Sequence, residues 1–249
     1  MKLLIIIPAY NEAESLRGVI ERLRSICPQY DYIIVNDGST DGTEELCEKN
    51  GYNVINHTVN KGLAEAVRTG MKYAIENGYD TALQFDADGQ HLPEYIDGML
   101  EVMEKTDCDI VIASRFYEEK MPLRMRTLGG KMISAAIHRT TDKILTDPTS
   151  GMRLFSADIM SLYIENKHFT PEPDTLAFLI RMGADIREVQ VKMNERKYGQ
   201  SYLSPVNATK YMIRILSSIL FRQRKWAAID ITKETEKPKV LSESRGGNS

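Results

Sequence analysis

Apolar and polar positions along the chain fall into short blocks of changing period. Leu3 to Ile7 is an unbroken, largely β-branched apolar run ended by Pro8, the pattern of a parallel strand covered on both faces. From Glu12 to Ile26 the period lengthens. Leu16, Val19, Ile20, Leu23 and Ile26 recur at helical spacing and predict a first β-α unit. Tyr32 to Val35 begins a second strand, which runs into the turn-forming cluster Asn36 to Gly42 and then a helix over Glu44 to Lys49. Val54 and Ile55 mark a short third strand, Leu63 to Glu76 a helix, and Thr81 to Phe85 a fourth strand that ends at Asp86. Pro93 to Lys105 reads as a helix and Asp109 to Ala113 as the next strand. Such alternation with short connections predicts an α/β fold, a doubly wound, mostly parallel sheet of the nucleotide-binding type.

Past Arg115 the pattern loosens. Helices are predicted over Leu128 to Ile144, near Thr175 to Met182 and over Val206 to Trp226, with a turn at Asp147-Pro148-Thr149-Ser150-Gly151. Between Lys210 and Trp226, Met212, Ile213, Ile215, Leu216, Ile219 and Leu220 form one side of an amphipathic helix flanked by Lys210, Arg214, Arg222, Arg224 and Lys225. A membrane surface, packing on the domain and packing on a second subunit all suit such a stripe. The organisation expected is therefore one domain over residues 1–205, an amphipathic helix over 206–230 and a disordered polar tail over 231–249.

Composition narrows the class without naming a function. The 249 residues are 42% hydrophobic and 27% charged, enough apolar residues for a sizeable core. The formal net charge of -3 supplies no general attraction to nucleic acid or anionic lipid, and no nucleic-acid partner is expected. Cys27, Cys47 and Cys108 are odd in number and lack the CxxC spacing, which argues for a reducing cytoplasm over a disulfide or zinc framework. The N-terminal apolar run is too short to span a bilayer and no small-residue cleavage site follows it, so it reads as a buried strand.

In an open parallel sheet, ligands bind outside the carboxyl ends of the strands, where loops and helix N-termini present unpaired N–H groups. Strand one delivers Pro8-Ala9-Tyr10-Asn11-Glu12 to that rim, strand two Asn36-Asp37-Gly38-Ser39, and strand four Asp86-Ala87-Asp88-Gly89-Gln90-His91. Asp86 and Asp88 are separated by one residue, so both carboxylates can reach one ligand; hard oxygen donors of this kind suit Mg²⁺ or Mn²⁺, with Gln90 as a neutral oxygen donor. A solvated acidic turn is the alternative. Asp37 can accept from a base or ribose, or instead form an Asx turn or cap the next helix. Neither GxGxxG nor GxxxxGK[ST] stands at the first β-α turn, which removes a Rossmann dinucleotide site and a P-loop.

Taken in order, these motifs resemble the inverting glycosyltransferases of family 2, with the nucleotide-binding fold called GT-A. Pro8-Ala9-Tyr10-Asn11-Glu12 is similar to the family's opening motif, Val35 to Thr43 to its second, Asn60-Lys61-Gly62 to its third and Asp86 to His91 to its metal motif. Ser114-Arg115 and Asp147 to Arg153 resemble later ones. Gln90, with the Asp-Pro-Thr-Ser-Gly stretch, most resembles the polyprenol-phosphate sugar transferase branch, which includes dolichol-phosphate mannose synthases. The resemblance implies that Pro8, Ala9, Tyr10, Glu12, Asp37, Lys61 and Asp86 hold the donor nucleotide, and that Asp86, Asp88 and Gln90 surround the metal and diphosphate. It further implies that Arg115 and Arg126 face phosphate groups, and that Arg196 and Ser201, in Glu195 to Ser201, lie near donor phosphates or acceptor. The chain departs from the branch at Thr170-Pro171-Glu172-Pro173-Asp174-Thr175, a pattern similar to small bacterial cell-surface polysaccharide transferases, and in lacking the transmembrane helices of many relatives.

The activity implied is metal-dependent transfer of a sugar, with inversion, from a UDP-, GDP- or dTDP-linked donor to a polyprenyl phosphate or cell-surface glycan. Asp88, Arg115 and Asp174 are the candidate catalytic residues. A sugar hydroxyl needs a general base, for which Asp174 or Glu172 is the candidate, whereas a lipid phosphate is already anionic and needs none. Capping of the next helix is the other role open to these two carboxylates. The location implied is cytoplasmic and peripheral to the inner face of the membrane, with a membrane-protein partner or a homo-oligomer as further contacts. A non-catalytic nucleotide-sugar-binding subunit of a membrane glycosylation complex is the alternative reading.

Overall fold

A computed structural model of the protein describes residues 1–118, 125–194 and 205–222. Seven strands form one sheet in the order β3-β2-β1-β4-β6-β5-β7. β1 (Leu3–Ala9), β2 (Asp31–Asn36), β3 (Val54–Asn56) and β4 (Thr81–Gln84) run parallel, as do β5 (Ile110–Ser114) and β7 (Ile186–Gln190). β6 (Arg153–Ser156) is antiparallel to both neighbours, β4 and β5.

Alternation along each strand divides the core into two layers. Leu3, Ile5 and Ile7 of β1 join Leu83 and Leu154 beneath α1 (Ala13–Ile26), α2 (Thr43–Asn50) and α4 (Ile96–Thr106). Leu4 and Ile6 point the other way, with Ala82, Ile112 and Phe155. That second layer is covered by α3 (Leu63–Glu76), α5 (Met125–Thr141), α6 (Ala157–Glu165), α7 (Pro173–Arg181) and α8 (Pro205–Ser217). Ile215 of α8 and Ile219, in the π-helical turn Ser218–Arg222 that follows it, are fully buried in the same layer.

The apolar runs expected to be β1, β2 and β3 form strands, and Leu63–Glu76 is a helix with those bounds. Pro8 stays inside β1, since its missing N–H is tolerated where the strand leaves the sheet's hydrogen-bonded centre. The segment predicted to be one helix from Pro93 begins as a short 3₁₀ turn, Pro93–Tyr95, before α4. The helix predicted from Leu128 starts three residues earlier, at Met125. β6, α6 and β7 were not expected from the pattern. β6 reads Arg-Leu-Phe-Ser and β7 Ile-Arg-Glu-Val-Gln, each too short and too charged for periodicity to reveal. Residues 223–249, including the predicted tail and the end of the predicted last helix, lie outside the described residues.

Close approach of α3 to β1 depends on one glycine. A Cβ on Gly70 would overlap Ile6 Cγ2 and lie 2.9 Å from Ile6 Cγ1, and Ile6 is itself fully buried. A β-branched side chain in a strand has little rotamer freedom with which to yield. Gly70→Ala is therefore expected to lower stability by about 1–3 kcal/mol through overpacking despite the better helix propensity of alanine. Urea unfolding would read the change as a lower midpoint at unchanged slope.

Candidate functional site

β1, β2 and β4 end on the same rim, and the loops after β1 and β2 are tied to one another. The Asp37 N–H donates to the Ala9 carbonyl (2.8 Å), and the Asn11 N–H donates to Ser39 Oγ (2.9 Å). Asn11 Oδ1 accepts from the Thr40 N–H (2.8 Å), and Thr43 Oγ1 accepts from the Glu12 N–H (3.1 Å). Asn11 holds a positive φ of 56°, which asparagine tolerates better than most residues. Gly38 has φ 67°, and a Cβ there would stand 2.5 Å from the Val59 carbonyl carbon, so the second motif packs directly on the segment that leads to Asn60-Lys61-Gly62.

Asp37 carries that contact. Its Oδ1 accepts from the Lys61 N–H (2.9 Å) and meets His57 Nδ1 (2.7 Å), while Oδ2 accepts from the Gly62 N–H (2.7 Å). His57 Nε2 in turn meets Thr69 Oγ1 (2.9 Å). The residue is 3% exposed, and burial alone would raise its pKa; the bonds from His57, Lys61 and Gly62 outweigh burial and hold the carboxyl below its ordinary value. Asp37, expected against the nucleoside, thus has both oxygens engaged by the chain. Tyr10 and Glu12 are half-buried on the neighbouring loop, where Glu12 Oε2 accepts from Ser15 Oγ (2.5 Å), and Lys61 is exposed.

The acidic turn after β4 is built differently. The Asp86 N–H donates to His91 Nδ1 (2.9 Å), which places the ring proton on Nε2, facing Asp86 Oδ2 at 3.5 Å. Gln84 Nε2 lies 3.3 Å from Asp86 Oδ1. Asp88 Oδ1 accepts from the Gln90 N–H (3.0 Å) across a turn that Gly89 makes with φ 76°. Gln90 is joined to Asn194: its carbonyl accepts from the Asn194 N–H (2.9 Å) and its Nε2 reaches the Asn194 carbonyl (3.4 Å). The Asp86 side chain keeps 34% exposure, in contrast to 4% for Asp37.

Behind Asp86 stands the turn that precedes β6. A Cβ on Gly151 would lie 2.6 Å from Asp86 Oδ2 and 3.4 Å from Asp86 Cγ, so only glycine leaves room for the carboxylate as placed. The same turn holds Asp147, fully buried, which accepts a forked pair from Arg115: Nε to Oδ2 at 2.7 Å and Nη2 to Oδ1 at 2.9 Å. This pairing raises the Arg115 pKa against the effect of burial. Glu188 of β7 fixes the approach to the turn by accepting from the Thr146 and Asp147 N–H groups at 2.7 and 2.9 Å. Arg115 is thereby aimed by Asp147, a partner that motif order alone did not identify.

Asp174 lies in the first turn of α7, where its Oδ1 accepts from the Thr175 N–H at 3.1 Å. Glu172 is held by Arg214 of α8 through two contacts of 2.6 and 2.7 Å. The Arg126 side chain, Arg196 and Ser201 lie outside the described residues. Among the described residues no three His, Cys, Asp or Glu side chains cluster as a metal cage. Two half-exposed carboxylates in one turn, backed by a glycine cradle, instead fit a cation that takes its other ligands from a substrate diphosphate and water, as Mg²⁺-type sites commonly do.

Known proteins resemble the chain over most of its length. Residues 4–163 match the model described as glycosyl transferase family 2. An undecaprenyl-phosphate mannosyltransferase of Micrococcus luteus is 34% identical over 226 residues, covering 82% of this chain and 88% of that one. A polyprenol monophosphomannose synthase of Mycolicibacterium smegmatis is 27% identical, over 85% of this chain and 84% of that one. Among solved structures, glucosyl-3-phosphoglycerate synthase from Mycobacterium tuberculosis in complex with Mn²⁺ and UDP-glucose superposes with a TM-score of 0.65 at 16% identity, covering 88% of this chain and 79% of that one. The likeness meets the expectation of a GT-A fold.

Two outcomes follow from the geometry. Because the folded pKa of Asp37 is below its unfolded value of about 3.9, its contribution to stability is present above that value and is lost as pH falls through the folded pKa. Urea unfolding between pH 2.5 and 7 is expected to show a shallower acid loss in Asp37→Asn than in the parent, together with lower stability at neutral pH. Gly151→Ala should move the Asp86 carboxylate while leaving the fold intact, since the obstructing atoms are a side-chain end. Mn²⁺ titration should show affinity weakened by about tenfold or more, with little change in the melting temperature.

Proposed function

The chain belongs to glycosyl transferase family 2, and from that membership we propose that it moves a sugar from a nucleoside-diphosphate donor to the phosphate of a polyprenyl phosphate, with a divalent cation at Asp86 and Asp88. The observation that carries the reading is the acidic turn itself: it opens on the rim shared by the β1 and β2 loops and is backed by Gly151, and Asp86 in it is a third exposed, whereas Asp37 and Asp147 on the same rim are almost wholly buried. The relatives' polyprenyl phosphate names support the acceptor, and the Mn²⁺ and UDP-glucose held by the structural neighbour support the donor and cation. UDP, GDP and dTDP remain the donor set.

In this reading a non-bridging oxygen of the lipid phosphate attacks the anomeric carbon from the face opposite the diphosphate. The new C–O bond forms as the bond to the donor diphosphate breaks, the electron pair leaves with the nucleoside diphosphate, and the configuration inverts. The second ionisation of a phosphate monoester lies near ~6, so the nucleophile is anionic at neutral pH and no proton has to be removed. A bound Mg²⁺ or Mn²⁺ would neutralise charge on the departing diphosphate. Asp86, Asp88 and Gln90 would orient that group. Asp147 holds the Nε and Nη2 edge of Arg115, so the Nη1 side is the one that would meet a phosphate oxygen. Glu172, bonded to Arg214, is poorly placed as a base, and Asp174 would matter only for a hydroxyl acceptor.

The acceptor would arrive from a membrane surface. Among the described residues no helix is long and apolar enough to cross a bilayer. α5 and α8 touch at Gly129 and Met212, and beside that contact Leu128, Met132 and Ile213 are exposed, with Phe221 beyond. These apolar groups favour peripheral attachment by the helical segment proposed over residues 206–230, with residues 1–205 as the transferase domain.

Transfer from radiolabelled donors to undecaprenyl phosphate, with Mn²⁺ or Mg²⁺, tests the reading. Asp88→Asn should lower the rate by at least about a hundredfold, whereas Asp174→Asn should leave lipid-phosphate transfer largely intact. An equal loss in both variants would overturn the base-free mechanism, and no transfer from any donor would overturn the assigned acceptor.

A further inference from the structure

Past the end of β4 the sheet supports the chain once more, at Phe85, whose N–H donates to the Ile6 carbonyl (2.9 Å). The next N–H, that of Asp86, is accepted instead by a side chain, His91 Nδ1 at 2.9 Å, five positions further on. A main-chain N–H that leaves a sheet needs another acceptor if it is not to be desolvated without compensation. This bond closes Asp86-Ala87-Asp88-Gly89-Gln90-His91 into a loop. Inside it, the bond from the Gln90 N–H to Asp88 Oδ1 (3.0 Å) and the positive φ of Gly89 set a tighter turn. Both carboxylates of the acidic turn thus sit on a segment whose two ends meet at one imidazole.

The imidazole is itself fixed. His91 is 5% exposed, and its ring meets the buried Phe85 ring edge-on, with centroids 5.4 Å apart at 75°. Because Nδ1 gives its lone pair to the Asp86 N–H, the ring proton is on Nε2, whose distance of 3.5 Å from Asp86 Oδ2 is too long for a strong bond. Few side chains could take this place. A carboxylate would accept the N–H but add a negative charge beside Asp86 and Asp88 and compete for a cation, whereas an ammonium or guanidinium group has no lone pair to offer. The imidazole anchors the main chain of Asp86 while drawing little on its carboxylate, whose other side-chain neighbour, Gln84 Nε2, also stands back at 3.3 Å.

Resting on the assignment of Asp86 and Asp88 as cation ligands, we propose that His91 is a positioning residue for the cation: by accepting the Asp86 N–H at Nδ1 it closes the acidic loop and fixes where the Asp86 carboxylate stands. His91 touches neither cation nor substrate and acts through the main chain of Asp86. A ring that only filled space against Phe85 would need its shape but not its Nδ1, and this separates the two roles.

Nitrogen-15 correlation spectra of the full chain at about pH 8.5, well above the ordinary imidazole value, read the tautomer directly. The histidine signal lost in His91→Phe should be one with its proton on Nε2, the opposite of His57, whose Nδ1 faces the Asp37 carboxylate. A proton on Nδ1 of His91 would overturn the proposal whatever the protein binds. Mn²⁺ titration, alone and with UDP, GDP or dTDP, measures the consequence. His91→Phe keeps a ring against Phe85 but has no acceptor, His91→Gln carries its amide out toward the place of Nε2, and His91→Asn sets an amide oxygen near the place of Nδ1. The first two should weaken Mn²⁺ binding by about ten- to a hundredfold with melting temperatures close to the parent's, and His91→Asn should recover most of the affinity. Unchanged affinity in His91→Phe, or an equal loss in His91→Asn, would overturn the proposal. If His91→Phe does not fold, His91→Gln set against His91→Asn makes the same comparison and identifies the same signal. Absence of Mn²⁺ binding by the parent under every condition would remove the cation site and the inference with it, even with the His91 proton on Nε2.

Discussion

β6 runs antiparallel between β4 and β5, with Arg153 opposite Gln84 on one side and opposite Ile112 on the other. This seating brings the turn ahead of β6 to the carboxyl end of β4. A parallel strand in the same place would enter the sheet from the opposite edge and leave Asp86 without a back wall. With β6 as it is, Gly151 meets the Asp86 carboxylate, Asp147 reaches Arg115 at the end of β5, and Arg153 lies beneath all of them. The rim made by β1, β2 and β4 is common to doubly wound sheets. What makes it an acidic site with cationic support is the reversed strand.

The carboxylates of this rim divide by how fully the chain satisfies them. Asp37 and Asp147 are almost wholly buried and accept several N–H donors each; they hold loops in place. Asp86 is a third exposed and its nearest side-chain contacts are long, 3.3 Å from Gln84 and 3.5 Å from His91. A carboxylate held by several donors or by a guanidinium has less to offer a cation, while one held loosely by neutral groups keeps its charge available. The difference in hydrogen bonding, more than residue type, separates Asp37 and Asp147 from the candidate cation ligands.

Much of this was legible in the chain and some was not, for physical reasons. The apolar run Leu3–Ile7 and the helical stripe over Leu63–Glu76 declare themselves because burial on two faces or on one imposes a strict period. The strand-end rule then located Asp86 and Asp88 without reference to packing. β6 was missed because its first residue is a fully buried arginine, and hydropathy assigns arginine to the surface. Arg115 was expected to face phosphate, but its tie to Asp147 depends on two turns meeting that are 32 positions apart in the chain. Likewise the bonds of Asp37 to Lys61 and Gly62, 24 and 25 positions away, could not be read from local spacing.

The acceptor side follows a different logic from the donor side. α8 is not held by its polar face alone: Ile215 and Ile219 are sunk in the core, while Ile213 and Phe221 are 62% and 71% exposed. Arg214 joins this helix to Glu172, at the N-cap of the helix that carries Asp174. On the proposed reading, a lipid that approached along the exposed side chains would meet a helix fixed to the catalytic core by both apolar burial and an ion pair. An ion pair on its own would hold weakly where water competes, since exposed pairs contribute about 0–1 kcal/mol. The two buried isoleucines therefore set the position of α8, and the pairing with Glu172 chooses its orientation relative to α7.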